Sequence, residues 1–247
     1  MDIITIANQK GGSGKTATAL ALIHAAAHHG KKVLAIDLDP QGNLTYSLGL
    51  RTTNAGSYEL ITGTPLKETV TDLGNNIHLI PASWNLATVS TSTGSARRLS
   101  NALHEAKLPY DIIFIDTPPT AGELQFNALQ ASTGLIIPVM ADMYGLQGFY
   151  QMADTAEQFK ATSNNKLQLL GIIFTRHNPR SSFTKYMQEQ ITAQAKDMEI
   201  PVLGAVREGV AIREAAAMQA NLFDYAPKSN PANDYNAIYK KLFEGEF

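Results

Sequence analysis

Apolar residues in this chain gather in short, nearly unbroken runs that stop at polar or acidic positions, with longer helix-forming stretches between them. Ile3, Ile4, Ile6 and Ala7 form the first run. Val33 to Ile36, Ile77 to Ile80, Ile112 to Ile115, Leu135 to Val139 and Leu169 to Phe174 form the others. Runs that are apolar at every position, rather than at every second one, suit strands buried on both faces of a parallel sheet. Ala17 to His29 is rich in good helix formers and ends at Gly30, a residue that accepts the left-handed turn after a helix. Ala96 to Ala106 predicts a further helix.

This alternation predicts an α/β fold: a doubly wound, mostly parallel sheet with helices on both faces. Ligands in such sheets bind at the carboxyl edge of the strands. The length suits one domain over 1–247. Residues 51–110 read as a variable insertion within it, because Thr52 to Thr64 and Thr88 to Ser95 are rich in Gly, Ser and Thr.

Composition narrows the chemistry. The chain has no cysteine, which excludes disulfides, thiolate metal sites and iron–sulfur ligation. No apolar run is long enough to cross a bilayer, and no charged-then-apolar leader follows Met1, so a cytoplasmic protein without a membrane partner is expected. The net charge of −2 means that any affinity for nucleic acid must come from a local basic patch. Trp84, the single tryptophan, is expected to be a partly buried packing residue. His24, His28 and His29 share a helical spacing but have no acidic partner nearby in sequence, so they read as a solvated helix face rather than a metal site.

Three segments carry chemistry. Lys10-Gly11-Gly12-Ser13-Gly14-Lys15-Thr16 follows a strand and opens a helix, where glycines let successive N–H groups curl inward around phosphate oxygens. Lys15 is placed to bridge the β- and γ-phosphates of a nucleotide, and the Thr16 hydroxyl to ligate Mg²⁺. Asp37-Leu38-Asp39-Pro40-Gln41-Gly42-Asn43 closes the second apolar run. Ile112 to Ile115 ends at Asp116, an acid at the sheet edge that suits a hydrated Mg²⁺.

The glycine loop has a second lysine, Lys10, where the general pattern has glycine. In this it resembles the deviant Walker ATPases, a P-loop NTPase group that holds ParA partition proteins, MinD, nitrogenase iron protein and the arsenite-pump ATPase. The D-x-D-P-Q-G-N segment and Asp116-Thr117-Pro118-Pro119 resemble ParA in particular, as do Asn127-Ala128-Leu129, Ile137-Pro138-Val139 and Tyr144 to Gly148. The resemblance spans nearly the whole chain and is weakest over 51–110. It implies an ATPase with ATP and Mg²⁺ as cofactors, slow unless a partner stimulates it. It assigns Lys10 to the partner's ATP across a homodimer face, Asp39 to the attacking water and the Mg²⁺ shell, and Asp116 to that shell. Nucleotide contacts are expected from Lys10, Gly11, Gly12, Ser13, Gly14, Lys15, Thr16 and Ala17.

The ParA resemblance further implies nonspecific DNA binding, a ParB-like centromere-binding partner and a nucleoid-associated location. Arg180, Arg207, Arg213, Lys228, Lys240 and Lys241 are the candidate DNA contacts. Where the family commonly reads I-P-R-N-V-R-L-S-E-A, this chain reads from Val206 to Ala215, with Glu208 and Ala211 in place of both arginines. The proline and asparagine that line the adenine become Arg207 and Gly209. The first strand begins at Asp2, which implies the short form without a preceding DNA-reading domain. Two alternatives belong to the same group: a MinD-like membrane-associated positioning ATPase, and ParA-like positioning of a non-DNA cargo. The tail carries Tyr235, Ile238, Tyr239, Leu242 and Phe243 at helical spacing but ends in acidic Glu244-Gly245-Glu246-Phe247, so a helix docked on the core is expected rather than one lying in lipid.

Overall fold

The computed structural model describes residues 1–89, 95–105 and 109–245. Its elements, in chain order, are β1 (Asp2–Ile6), α1 (Lys15–His28), β2 (Val33–Asp37), α2 (Asn43–Ser47), α3 (Ser57–Ile61), β3 (Thr71–Asp72), β4 (Ile77–Ile80), α4 (Arg98–Glu105) and β5 (Ile112–Asp116). There follow α5 (Glu123–Ala131), β6 (Gly134–Met140), α6 (Met143–Thr162), β7 (Gln168–His177), α7 (Ser182–Asp197), β8 (Val202–Arg207), α8 (Val210–Ala217), α9 (Leu222–Tyr225) and α10 (Asn230–Phe243). The strands form one sheet in the order β3-β4-β2-β5-β1-β6-β7-β8. Neighbours are parallel throughout except β3 against β4.

Successive residues of a strand point to opposite faces, and here both faces are covered. Val33, Ala35, Ile112 and Phe114 join α1 and α10 in one core cluster. Leu34, Ile36, Ile113 and Ile115 join α3, α4 and α5 on the other face. Further along that face Leu135, Ile137, Ile172 and Phe174 meet α6 and α7. Phe114 has no exposed surface, and truncating such a ring to alanine costs about 3–5 kcal/mol. Two-sided burial is the physical reason the strands read as unbroken apolar runs. Gly30, at φ 76°, ends α1 as its position in the sequence predicts.

Residues 51–110 build the far edge of the same sheet through β3 and β4, with α3 packed on that face of the sheet through its own Leu60 and Ile61. The helix predicted over Ala96 to Ala106 is α4, preceded by a 3₁₀ turn at Ser95–Arg97. Ala106 lies outside the described residues, as do Ser90 to Gly94.

Two expectations are corrected. Trp84 is 68% exposed rather than packed, because it opens a 3₁₀ turn, Trp84–Thr88, in which Leu86 takes the inward position. Positions two apart in a three-residue turn point to different sides, so both cannot enter the core. The histidines of α1 are not a solvated face either. α1 is enclosed between the sheet and α9–α10, so His24 is buried, with its Nδ1 lacking a hydrogen-bond partner. Burial pulls its pKa down to about 4, with Asp224 opposing. His28 stacks on Phe223 with ring centroids 5.6 Å apart, and His29 stacks on Tyr239 at 4.5 Å. Only the residue at 28 remains exposed.

α10 docks on α1 and β8 through Tyr235, Ile238 and Tyr239, all buried, while Leu242 and Phe243 pack against the same cluster. Of the acidic end, Glu246 and Phe247 lie outside the described residues. Among the described residues no helix is long and apolar enough to cross a membrane.

Candidate functional site

β1 occupies the middle of the sheet, and from its end the chain curls through the glycine loop into α1. Gly12 and Gly14 sit at φ 73° and 90°, the left-handed region that glycine enters without strain. A Cβ at Gly14 would lie 3.1 Å from the Thr175 methyl group, and the Thr175 hydroxyl donates to the Ser13 carbonyl at 2.8 Å. The loop is thereby pinned to β7. Around Gly11 and Gly12 the space is open, and α1 starts with no side-chain cap, so its first N–H groups are left for a ligand. The Ser13 hydroxyl is buried and unpartnered.

Lys15 is 7% exposed and its Nζ donates to the Lys10 carbonyl at 3.1 Å. Burial lowers its pKa, while Asp116 and Asp39 pull the other way. Thr16 is half-buried one residue further along α1.

β2 and β5 are paired in register, which sets Asp37 directly beside Asp116. Asp116 is wholly buried, and neither carboxylate oxygen has a partner at hydrogen-bond geometry. Burial and then the neighbouring Asp37 push its pKa well above the usual carboxylate range, against the nearby Thr16 hydroxyl and Lys15. Asp37 is equally buried but satisfied: it accepts from the Asp39 N–H at 3.0 Å and from the Thr45 N–H and hydroxyl at 2.8 and 2.7 Å. Burial still pushes it up to about 6. Asp37 thus shapes the turn on which Asp39 sits. Asp39 is 6% exposed and accepts the Gln41 N–H at 2.9 Å.

An orphaned buried acid beside an open cradle of N–H groups is costly on its own and fits a hydrated divalent cation held with an anionic ligand.

Lys10 points the other way. Its Nζ lies 2.7 Å from both carboxylate oxygens of Asp142 and 5.7 Å from the centre of the Tyr144 ring. Asp142 caps α6 by accepting the Gly145 N–H at 2.6 Å. α6 can approach this closely because a Cβ at Gly148 would come within 2.8 Å of the Asn8 side chain, and one at Gly145 would overlap the Met140 carbonyl. The lysine expected to act on a partner is therefore held by its own chain. Sequence reading passed over Asp142. Its signal was there, since it is a further acid closing a central strand and preceding a helix.

A cleft of ≈ 100 Å³ continues from the loop and is lined by Gly14, Ala17, Thr175, Arg207, Gly209 and Tyr235 among others. The structure thus brings Ala17, Arg207 and Gly209 together beside the phosphate loop. Arg207 is gripped by Asp234: its backbone N–H and Nε donate to Oδ2 at 2.9 Å each, and Nη2 donates to Oδ1 at 2.6 Å. No sequence pattern pairs residues 27 apart across a strand and a helix, so Asp234 was missed.

The basic candidates divide between two ends of the molecule. Arg213 is exposed and also lines the cleft. Arg180 and Lys228 are exposed, before α7 and before α10 respectively. Lys240 and Lys241 are half-buried at the far end of α10, where the Lys241 Nζ donates to the Val202 carbonyl at 3.1 Å. Val202 starts β8 and Arg207 ends it, so these two lysines lie toward the amino edge, away from Arg207.

A central parallel strand feeding a glycine loop and helix, with a buried acid on the adjacent strand, defines a P-loop nucleoside triphosphatase, and Lys10 marks the deviant Walker form. A family model described as an AAA domain matches residues 1–169. The chain is similar to the chromosome-partitioning ATPase Soj of Thermus thermophilus, 36% identical over 97% of this chain and 94% of that protein. It is also similar to the sporulation initiation inhibitor protein Soj of Bacillus subtilis, 32% identical over 97% of each. Among solved structures, cobyrinic acid a,c-diamide synthase from Mycobacterium smegmatis with bound ADP and magnesium aligns with a TM-score of 0.84 at 26% identity, covering 99% of this chain and 94% of that one. The chain belongs to the ParA/Soj family of chromosome-partitioning ATPases.

Proposed function

We propose that this chain is an ATP-dependent dimerising switch of the partition type. With ATP and Mg²⁺ two copies close face to face, the closed pair binds DNA without sequence preference, and a ParB-like centromere-binding partner stimulates the hydrolysis that reopens it. The observation that carries this reading is the contrast between the two lysines of one loop. Lys15 is turned in against Lys10's carbonyl, with Asp116 and Asp39 close enough to act on its charge, whereas Lys10 is turned out onto Asp142 beside exposed Met143 and Tyr144.

We assign the roles as follows. Lys15 meets the β- and γ-phosphates, and N–H groups from Gly11 to Ala17 line the cradle. Thr16 and Asp116 would hold Mg²⁺, which when bound supplies neutralising charge on the phosphate oxygens. Asp39 orients the attacking water from a turn that Asp37 fixes through Thr45. Lys10 leaves Asp142 and reaches the nucleotide of the second copy. Arg207 and Gly209 border the base. DNA contacts come from Arg180, Arg213 and Lys228, with Lys240 and Lys241 on a separate flank; such contacts act by neutralising phosphates and weaken steeply with salt. The protein then works in the cytoplasm on the nucleoid. Burial of Tyr235, Ile238 and Tyr239 keeps the apolar side of α10 inside the protein, which supports the DNA reading over the lipid-interface one.

Sedimentation on nonspecific DNA and on anionic liposomes, with ATP, ADP or neither, tests the reading. DNA binding that needs ATP and fades with salt is expected. Binding to liposomes alone would move the chain to the membrane-positioning class. Lys10→Ala is expected to abolish ATP-driven dimerisation while sparing nucleotide binding by the monomer, and a variant that still dimerises would remove the trans role.

A further inference from the structure

Three contacts tie α10 to the lining of the cleft. Asp234 takes the Arg207 backbone N–H and two of its guanidinium nitrogens. Gly209 faces Pro231 so closely that a Cβ there would stand 2.8 Å from its Cγ. Tyr235 and Thr18, both buried, share a hydroxyl–hydroxyl hydrogen bond of 3.0 Å that ties α10 to the helix beginning at the phosphate loop. The Asp234 side chain is 13% exposed, whereas that of Arg207, on the cleft, is 39% exposed.

We propose that Asp234 is a positioning residue for the nucleotide base: it fixes Arg207 as a flat wall of the cleft against which a purine ring stacks. A guanidinium is planar and delocalised, and its face stacks on aromatic rings while its edge donates hydrogen bonds. Asp234 occupies that edge with a bidentate grip, which leaves the face as the surface offered to a ligand. The grip also sets the rotamer in advance, so a base finds the wall already in place and less side-chain freedom is lost on binding. α10, the helix most distant in sequence from the phosphate loop, becomes part of the nucleotide site. The inference rests on the reading of the loop and cleft as one nucleotide site.

The experiment compares two ligands that share phosphates and differ in the base: dissociation constants of Mg·ATP and of Mg·tripolyphosphate for the full chain, Asp234→Asn and Arg207→Gln. Both variants are expected to weaken ATP about five- to tenfold while changing tripolyphosphate by less than about twofold, the size of a lost cation–π stack. Equal losses for both ligands would make the pair a mere brace of the fold and overturn the proposal. Unchanged ATP affinity in Arg207→Gln, the variant that removes the plane itself, would overturn it as well. If the unaltered chain binds neither ligand, the nucleotide-site reading fails along with it, an outcome distinct from selective failure of the variants.

Discussion

The phosphate end and the base end of the cleft are built on opposite principles. At the phosphate end the glycine loop and the neighbouring end of β5 leave polar groups unfinished: the Ser13 hydroxyl and both oxygens of Asp116 are buried without partners. At the base end the groups are completed by distant parts of the chain, as Arg207 is by Asp234 and Thr18 by Tyr235. A buried polar group without a partner raises the energy of the free protein, and a ligand that supplies the partner recovers it. The first end should therefore respond strongly to loss of a single side chain, and the second weakly.

That contrast is broken if the phosphate end tolerates substitution. Lys15→Ala is expected to lower ATP hydrolysis about 10²- to 10³-fold, since it removes a preorganised charge from developing phosphate charge. Asp116→Asn is expected to cost hydrolysis about 10²-fold and yet raise the melting temperature of the ligand-free protein by about 3 °C, because a buried acid held above its ordinary pKa is exchanged for a neutral side chain. A variant that loses both activity and stability would show that Asp116 is structural, and the comparison would fail.

Asp142→Asn sharpens the contrast from a third position. Freed from its cis partner, Lys10 is expected to support dimerisation at ATP concentrations several-fold lower, read by analytical ultracentrifugation. An unchanged threshold would mean that the pair on the loop's outer side stores nothing.

A separate effect is on pH dependence. His24, with its pKa lowered to about 4, adds stability that is present above the unfolded value of 6.5 and is lost as pH falls through that window. Asp37, raised to about 6, has the opposite sign: its contribution is greatest below the unfolded value of 3.8 and is lost as pH rises through 6. Between pH 4 and 6 the two slopes oppose each other. His24→Leu should uncover the acid's slope, changing the dependence of unfolding free energy on pH by about 1.4 kcal/mol per unit in that interval. Denaturant titrations at several pH values would show it, and an unaltered slope would remove His24 from this balance.

What was legible in the sequence follows the same division. Strands buried on both faces announce themselves as continuous apolar runs, so β1, β2, β4, β5, β6 and β7 were readable, and a loop within seven consecutive residues carries its own chemistry. β8 was not, because only Leu203 and Val206 of its residues are buried and Gly204 interrupts the apolar run. β3 is two residues long and pairs antiparallel at the sheet edge, too short to leave a pattern. The burial of His24 and the exposure of Trp84 depend on α9 and on a single 3₁₀ turn, neither of which has a periodicity of its own. Asp234 escaped, as did the bond between the Tyr235 and Thr18 hydroxyls, because these pairings are set by how α10 docks, a tertiary fact with no local trace.

The strand that begins the chain ends up enclosed by the fifth and sixth strands to be synthesised. During translation, the apolar segment Ile3 to Ile6 must wait for residues up to 140 before both of its hydrogen-bonding sides are filled. At ribosomal speeds that is on the order of 10 s. For that interval the nascent chain carries an uncovered β-forming segment, and the phosphate loop at its end lacks the two strands that flank β1.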